Sequence, residues 1–376
     1  MKPEPAVRSF VRRPVLTTVL VTALAALPLG TGLAQSVNLE GAGATFPAPL
    51  ITAWADEYRD ATEGRVTLNY QSIGSGGGIR QFLNQTVMFG ASERFLTDEQ
   101  IHDVEAATGG TALNLPVTLG SVVPTYNLPG VTERLTLDGP TLARLFLGEI
   151  PFWDDEAIAE LNPDVTLPPL PVQIVHRSDG SGTTAVWTDY LSKVDATWAE
   201  RVGFATSVDW PVGIGGNGNE GVAGVVQTTP GALGYNSLVY ATLNDIAYAA
   251  VINAAGTPVV ADLPSTSAAG DVDLPADARV SITDTPAEDG YPAAGFAWLL
   301  VHERLEANAT ISSRAEAEEL VRFFLYVLTD GQDLSEPLDF ARLPDAAVDV
   351  AIAMVERMTY EDEPLGADLV RELAAR

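Results

Sequence analysis

Three segments of the chain combine glycine and hydroxyl residues in one recurring design. They are Gly41-Ala42-Gly43-Ala44-Thr45-Phe46-Pro47, Ser72-Ile73-Gly74-Ser75-Gly76-Gly77-Gly78 and Arg177-Ser178-Asp179-Gly180-Ser181-Gly182-Thr183. Each leads into a helical pattern, with a Thr or Ser where an N-cap belongs. Glycines let backbone N–H groups approach a ligand closely, and a helix N-terminus adds partial positive charge. One such turn is an ordinary helix cap; three, one of them led by Arg177, point to an anion pocket. If the anion is phosphate, it still carries a proton at neutral pH, so its site needs many donors and at least one acceptor. Sulfate, with no proton, would leave that acceptor unpaired. Glu93, in Phe89-Gly90-Ala91-Ser92-Glu93-Arg94, is the candidate acceptor. Read by itself, Glu93-Arg94 is a solvated surface pair.

Neighbouring motifs fail on inspection. Gly41-Ala42-Gly43 opens like a dinucleotide fingerprint, but Phe46 stands at its third glycine position. The Gly180-to-Thr183 turn has no Lys after its glycine and is not a P-loop. Asp179-Gly180-Ser181-Gly182 approaches a nucleophile elbow but lacks the first glycine. His176 is the nearest candidate base and reads as structural. With no cysteine and only His102, His176 and His302, neither a disulfide nor a structural zinc site is expected, and no cofactor is implied.

The elements that must hold these turns alternate between strand-like and helix-like patterns, which is α/β organisation. Val66, Leu68 and Tyr70 alternate as a strand, and Pro171–Val175 and Phe296–Val301 read as two more. Leu50, Ile51, Trp54 and Tyr58 share one helix face, with Gly64 placed to stop it; Val186, Trp187, Tyr190 and Leu191 share another. Helices are also expected through Phe323, Phe324 and Val327, and from Val348 to Met358. Ala254 to Gly290, rich in Pro, Asp, Ala and Ser, reads as irregular and exposed.

The 376 residues suffice for two lobes, and 46% hydrophobic with 19% charged is globular composition. Twenty-one Lys+Arg against 50 Asp+Glu, a net −29, exclude nucleic acid as a partner. Lys2, Arg8, Arg12 and Arg13 before the apolar run from Val15 to about Leu29 mark residues 1–34 as a secretory signal peptide cleaved after Ala34. The mature chain then carries 17 Lys+Arg and 49 Asp+Glu and works outside the cytoplasm.

Taken together with Trp153-Asp154-Asp155-Glu156-Ala157-Ile158, Asn217-Gly218-Asn219-Glu220-Gly221-Val222, Gly231-Ala232-Leu233-Gly234-Tyr235 and Leu343-Pro344, the three turns resemble the PstS periplasmic phosphate-binding proteins of ABC transporters. The resemblance spans essentially the whole mature chain. It implies a two-lobed, hinged α/β periplasmic-binding-protein fold, type II-like with interleaved lobes: residues 35–115 plus 291–376 as one lobe and 116–290 as the other. It implies phosphate binding by Thr45, Phe46 through its N–H, Ser75, Arg177, Ser181, Gly182 and Thr183, with Asp179 holding Arg177. The family pattern has Asp at the acceptor position where this chain has Glu93, and a hydroxyl residue often stands at Gly76, so one donor is expected to be lost. The implied partners of this monomeric, non-catalytic protein are inorganic phosphate and the permease subunits of an ABC transporter with their ATPase. The alternatives are a binder or sensor of another tetrahedral oxyanion such as arsenate, or a secreted phosphatase on the same scaffold.

Overall fold

The structure, a computed structural model, describes residues 36–375; the expected signal peptide lies outside the described residues. Eight strands, β1 (Val37–Gly43), β2 (Val66–Ser72), β3 (Phe89–Ser92), β4 (Ala112–Tyr126), β5 (Gln173–Arg177), β6 (Ile214–Gly216), β7 (Ala232–Ser237) and β8 (Ala294–His302), make one sheet. Their spatial order is β2-β1-β3-β8-β4-β7-β5-β6. At one end β2 and β3 run parallel to β1; at the other β6 and β7 run parallel to β5. Between the two parallel sets lies the antiparallel pair β8 and β4. All 15 residues of β4 are buried. Residues 112–121 pair with β8 and residues 122–126 with β7, so one strand serves both ends of the sheet.

A strand buried on both faces needs partners for any polar side chain it carries. Asn114 accepts from the Leu96 N–H at 2.8 Å, Thr125 donates to Asn236 Oδ1 at 3.0 Å, and Ser121 Oγ lies 2.7 Å from Thr266 Oγ1. The helical readings hold. Helix α1 (Ala48–Ala61) buries Leu50, Ile51, Trp54 and Tyr58, and Trp54 Nε1 donates to the Gly331 carbonyl at 2.7 Å. The chain turns out of α1 at Gly64, whose N–H reaches the Arg59 carbonyl at 2.8 Å. Four further helices matter for the sheet and its ends: α2 (Ser75–Leu83), α3 (Gly182–Val194), α4 (Gly218–Thr228) and α5 (Leu263–Gly270). The helices expected near Phe323 and Val348 span Arg314–Leu328 and Asp345–Glu356.

Two expectations need correction. The strand placed at Pro171–Val175 begins two residues later, because Pro171, which has no N–H to donate, makes only an isolated bridge to Phe152. The 254–290 stretch is neither wholly irregular nor wholly exposed. Asp262 and Ser265 form a reciprocal capping box that starts α5, which packs Thr266, Ala269 and Gly270 against the interior. Composition hides such a helix, since its start rests on two residues and its burial on β4.

Five strands of the two parallel sets, β1, β2, β3, β5 and β6, end beside or within the segments singled out in the sequence. Ligands of open α/β sheets bind outside the carboxyl ends of their parallel strands, so the architecture alone aims these segments at one place.

His302, on β8, tests the packing between β8 and α2. Its ring lies 4.6 Å from that of Phe82, and neither ring nitrogen has a hydrogen-bond partner among the described residues. Burial pushes the imidazole down to about 4. In the unfolded chain it takes a proton at its ordinary value, so the folded state keeps this stabilisation above pH 6.5 and loses it as pH falls towards 4. Urea unfolding at pH 7 and pH 4 is expected to show His302→Leu losing roughly 3 kcal/mol less than the wild type over that interval; parallel losses would reject this account.

Candidate anion-binding site

The turn after β1 delivers Thr45 and Phe46, both buried. Thr45 does not cap α1, whose N-cap is Pro47 with no side-chain hydrogen bond. Its Oγ1 instead accepts from the N–H of Asn219 at 3.3 Å and from Asn219 Nδ2 at 2.8 Å. Phe46 anchors the turn by its ring, set edge-on to Phe340 at 5.6 Å. The turn after β2 delivers Ser75, which likewise is no cap: the N-cap of α2 is Gly74. Ser75 Oγ donates to Glu93 Oε1 at 3.2 Å and accepts from the Glu93 N–H at 3.3 Å. The expectation of a hydroxyl N-cap in all three turns is therefore corrected for two of them. Their hydroxyls turn towards side chains from distant segments, which local sequence cannot anticipate.

The third turn behaves as expected. Ser181 Oγ accepts from the Thr184 N–H at 3.0 Å and caps α3. The N–H groups of Gly182 and Thr183, in the first helical turn, have no intrahelical acceptor. A Cβ at Gly182 would come within 2.4 Å of Ser75 Oγ and 2.8 Å of the Glu93 side chain, so only glycine lets the turns after β2 and β5 close on each other. Gly76 has the same explanation. Its N–H donates to the Gly180 carbonyl at 2.9 Å and its Cα faces that of Gly180, where an added Cβ would stand 3.0 Å away. A hydroxyl residue at position 76 would crowd this contact.

Glu93, at the end of β3, is 4% exposed, so the surface-pair reading fails. Its carboxylate accepts from Thr183 Oγ1 at 2.7 Å as well as from Ser75. Burial nonetheless pushes it up to about 7, against the lowering effect of these hydroxyls and of Arg177. Arg94 turns away, its guanidinium 5.0 Å from the centre of the Phe204 ring. Arg177, at the end of β5, is buried and fork-paired with Asp179: Nε to Oδ1 at 2.7 Å and Nη2 to Oδ2 at 2.5 Å. Burial alone would lower the guanidinium, but the Asp179 pair raises it above its ordinary value. Burial likewise opposes charge on Asp179, and Arg177 with the Gly218 N–H at 3.0 Å holds it below the usual carboxylate range. Arg177 Nη1 reaches Thr183 Oγ1 at 3.4 Å.

Thr45, Ser75, Glu93, Arg177, Asp179 and Thr183 thus belong to one hydrogen-bond network, with Ser181, Gly182 and Phe46 adjoining it. The residue the sequence reading left without a role is Asn219, which joins Thr45 to Thr183, donating to the latter at 3.1 Å. A signal existed: Gly213 to Gly221 is a fourth strand, glycine turn and helix, between β6 and α4. His176 stacks on Trp210, ring centres 4.9 Å apart, with Nδ1 3.0 Å from the Arg177 carbonyl. The arrangement can hold an anion with many donors and offer it one carboxylate.

Raised above its value in the unfolded chain, Glu93 favours folding while neutral, below pH 4.5, and that contribution is lost as pH rises through about 7. Glu93→Gln is therefore expected to gain on the wild type by up to roughly 3 kcal/mol between pH 5 and pH 8. Urea unfolding at both pH values checks it, and an equal difference at the two would refute the buried-charge account.

A model described as a PBP superfamily domain matches residues 29–330. The chain is 40% identical over 314 residues to the phosphate-binding protein PstS of Xylella fastidiosa, covering 82% of each. It is 37% identical over 318 residues to the phosphate-binding protein PstS of Pasteurella multocida, covering 84% of this chain and 88% of that one. Among solved structures, a high-affinity periplasmic phosphate-binding protein, PfluDING, bound with phosphate, shares the fold with a TM-score of 0.68 at 21% identity, covering 88% of this chain and 97% of that chain. A match of this extent, reached from sequence and from fold, means that the chain belongs to the PstS family of phosphate-binding proteins, with their two-lobed α/β fold.

Proposed function

We propose that this chain is the capture subunit of a phosphate ABC transporter, working as a monomer in the periplasm after removal of residues 1–34. It closes two lobes on one inorganic phosphate and hands it to membrane permease subunits driven by their ATPase, without chemically altering it. Residues 35–115 plus 291–376 form one lobe and 116–290 the other. This division is supported by the change of partner along β4 at residues 121–122 and by the start of β8 at Ala294.

In this reading the donors to phosphate are the hydroxyls of Thr45 and Ser181, the N–H groups of Phe46, Gly182 and Thr183, and the Arg177 guanidinium held by Asp179; the hydroxyls of Ser75 and Thr183 line the same pocket with their hydrogens on Glu93. Glu93 accepts the proton that phosphate retains at neutral pH. The observation that carries the reading is Glu93 itself: a carboxylate buried among donors is costly for an anion site unless the anion brings a proton to it. A phosphatase reading gains no support, since Ser181 Oγ is engaged as a cap and His176 lies against Trp210.

Calorimetric titration of ligand-stripped protein at neutral pH is expected to show phosphate binding, arsenate binding that is weaker or equal, and no heat with sulfate. Glu93→Gln replaces one acceptor oxygen by a donor, so phosphate should weaken by about 10–100-fold while sulfate gains. Sulfate binding by the wild type, or unchanged selectivity in the variant, would sink the acceptor role. Because local donors rather than net charge hold the ligand, phosphate affinity should change less than about fivefold between low and moderate salt; a steep loss across that range in the same titrations would contradict it.

A further inference from the structure

A hydroxyl carries one hydrogen and two lone pairs, and its neighbours decide whether it gives or takes. At Thr45 that decision is made by one residue. Both lone pairs of Oγ1 are engaged by Asn219, through its Nδ2 at 2.8 Å and its backbone N–H at 3.3 Å. The Thr45 hydroxyl hydrogen goes to no acceptor among the described residues, and the residue is 2% exposed. At Thr183, Oγ1 accepts from Asn219 Nδ2 at 3.1 Å and from Arg177 Nη1 at 3.4 Å, and its hydrogen goes to Glu93 Oε2.

The orientation of the Asn219 amide is itself fixed. Its Oδ1 lies 3.0 Å from the Ser237 N–H, which can only donate, so the NH2 group must face the two threonines. The Asn219 carbonyl accepts from Asn236 Nδ2 at 2.7 Å, and the residue is wholly buried. Both amide hydrogens are spent on hydroxyls from two different turns, one following β1 and one at the start of α3.

We infer that Asn219 is a positioning residue that makes both hydroxyls donors only, aiming the Thr45 hydrogen at the bound anion while the Thr183 hydrogen holds Glu93, an inference that rests on the phosphate reading of this site. Two consequences follow. The Thr45 donor needs no reorientation when the anion arrives, as a preorganised site requires. Neither hydroxyl has a lone pair left for the phosphate proton, which is thereby directed to Glu93.

The test is calorimetric titration with inorganic phosphate of the wild type, Asn219→Asp, Asn219→Ala, Thr45→Val and the Asn219→Ala/Thr45→Val pair, with a melting curve for each. Asn219→Asp keeps an acceptor for the Ser237 N–H but presents oxygen where the NH2 group stood, turning the Thr45 hydroxyl hydrogen away from the ligand. Its affinity is expected to fall by more than about 100-fold, with sound melting curves. Asn219→Ala and Thr45→Val should each lose about 10–100-fold, and the double variant should lose at least about tenfold less than their product, because the two changes remove one coupled function. If Asn219→Asp folds and binds within threefold of the wild type, or if the losses multiply, the inference is overturned. Should Asn219→Ala fail to fold, the Asp variant decides alone. A wild type that binds no phosphate overturns the functional reading and the inference with it; a wild type that binds, beside variants that bind equally, overturns the inference only.

Discussion

Glu93 and Arg177 are charges taken out of water, and the structure around them is organised to compensate for that. Desolvating each costs several kcal/mol even after relaxation. The compensation is local and specific: two hydroxyls on the Glu93 carboxylate, and a two-point fork from Asp179 on the Arg177 guanidinium. Asp179 is steadied in turn by a backbone N–H at the start of α4. Burial still wins at Glu93, whose carboxyl sits near 7, and loses at Arg177, which stays firmly charged. A site of this kind holds a guanidinium that keeps its charge and a carboxyl poised to share a proton.

No single segment could supply this set. The residues involved lie between positions 45 and 219, and they meet because the ends of parallel strands at both extremes of one sheet converge. The antiparallel pair β4 and β8 makes this possible. By pairing with β8 along one part and β7 along the other, β4 joins two parallel sets that would otherwise be separate sheets. Its buried polar side chains are each matched by a partner, so the junction is held by hydrogen bonds as well as apolar packing. Close glycine contacts between the turns at 74–78 and 180–182 bring backbone donors within reach of the same point.

The chain is strongly acidic, with a net charge of −29, yet the proposed ligand is an anion. These facts are compatible because they act at different ranges. Salt at physiological strength screens the surface charge beyond about 8 Å, whereas the donors of the site act over one hydrogen-bond length in a dehydrated setting where they are strongest. Surface acidity shapes solubility and approach; the pocket shapes recognition.

Composition, periodicity and turn chemistry already determined much of this protein: the α/β alternation, the helix face of Leu50, Trp54 and Tyr58, and the turns that carry the site. Glu93 read locally as half of a solvated surface pair and only burial overturned that, whereas Arg177 was legible as a guanidinium placed among donors, because residue type and spacing are local properties. The cap at Ser181 was legible for the same reason. What only the tertiary structure decided is how each polar group is used. Thr45 and Ser75 fit an N-cap pattern, but their hydroxyls turn to Asn219 and Glu93, 174 and 18 residues away. The missing hydroxyl at Gly76 reads as a lost donor until Gly180 is seen against it. Asn219 carried no assigned role because its meaning lies in five hydrogen bonds with three distant segments. A backbone preference is written within a few residues, whereas the direction of a hydroxyl hydrogen or the protonation of a buried carboxyl depends on which groups the fold brings within three ångströms.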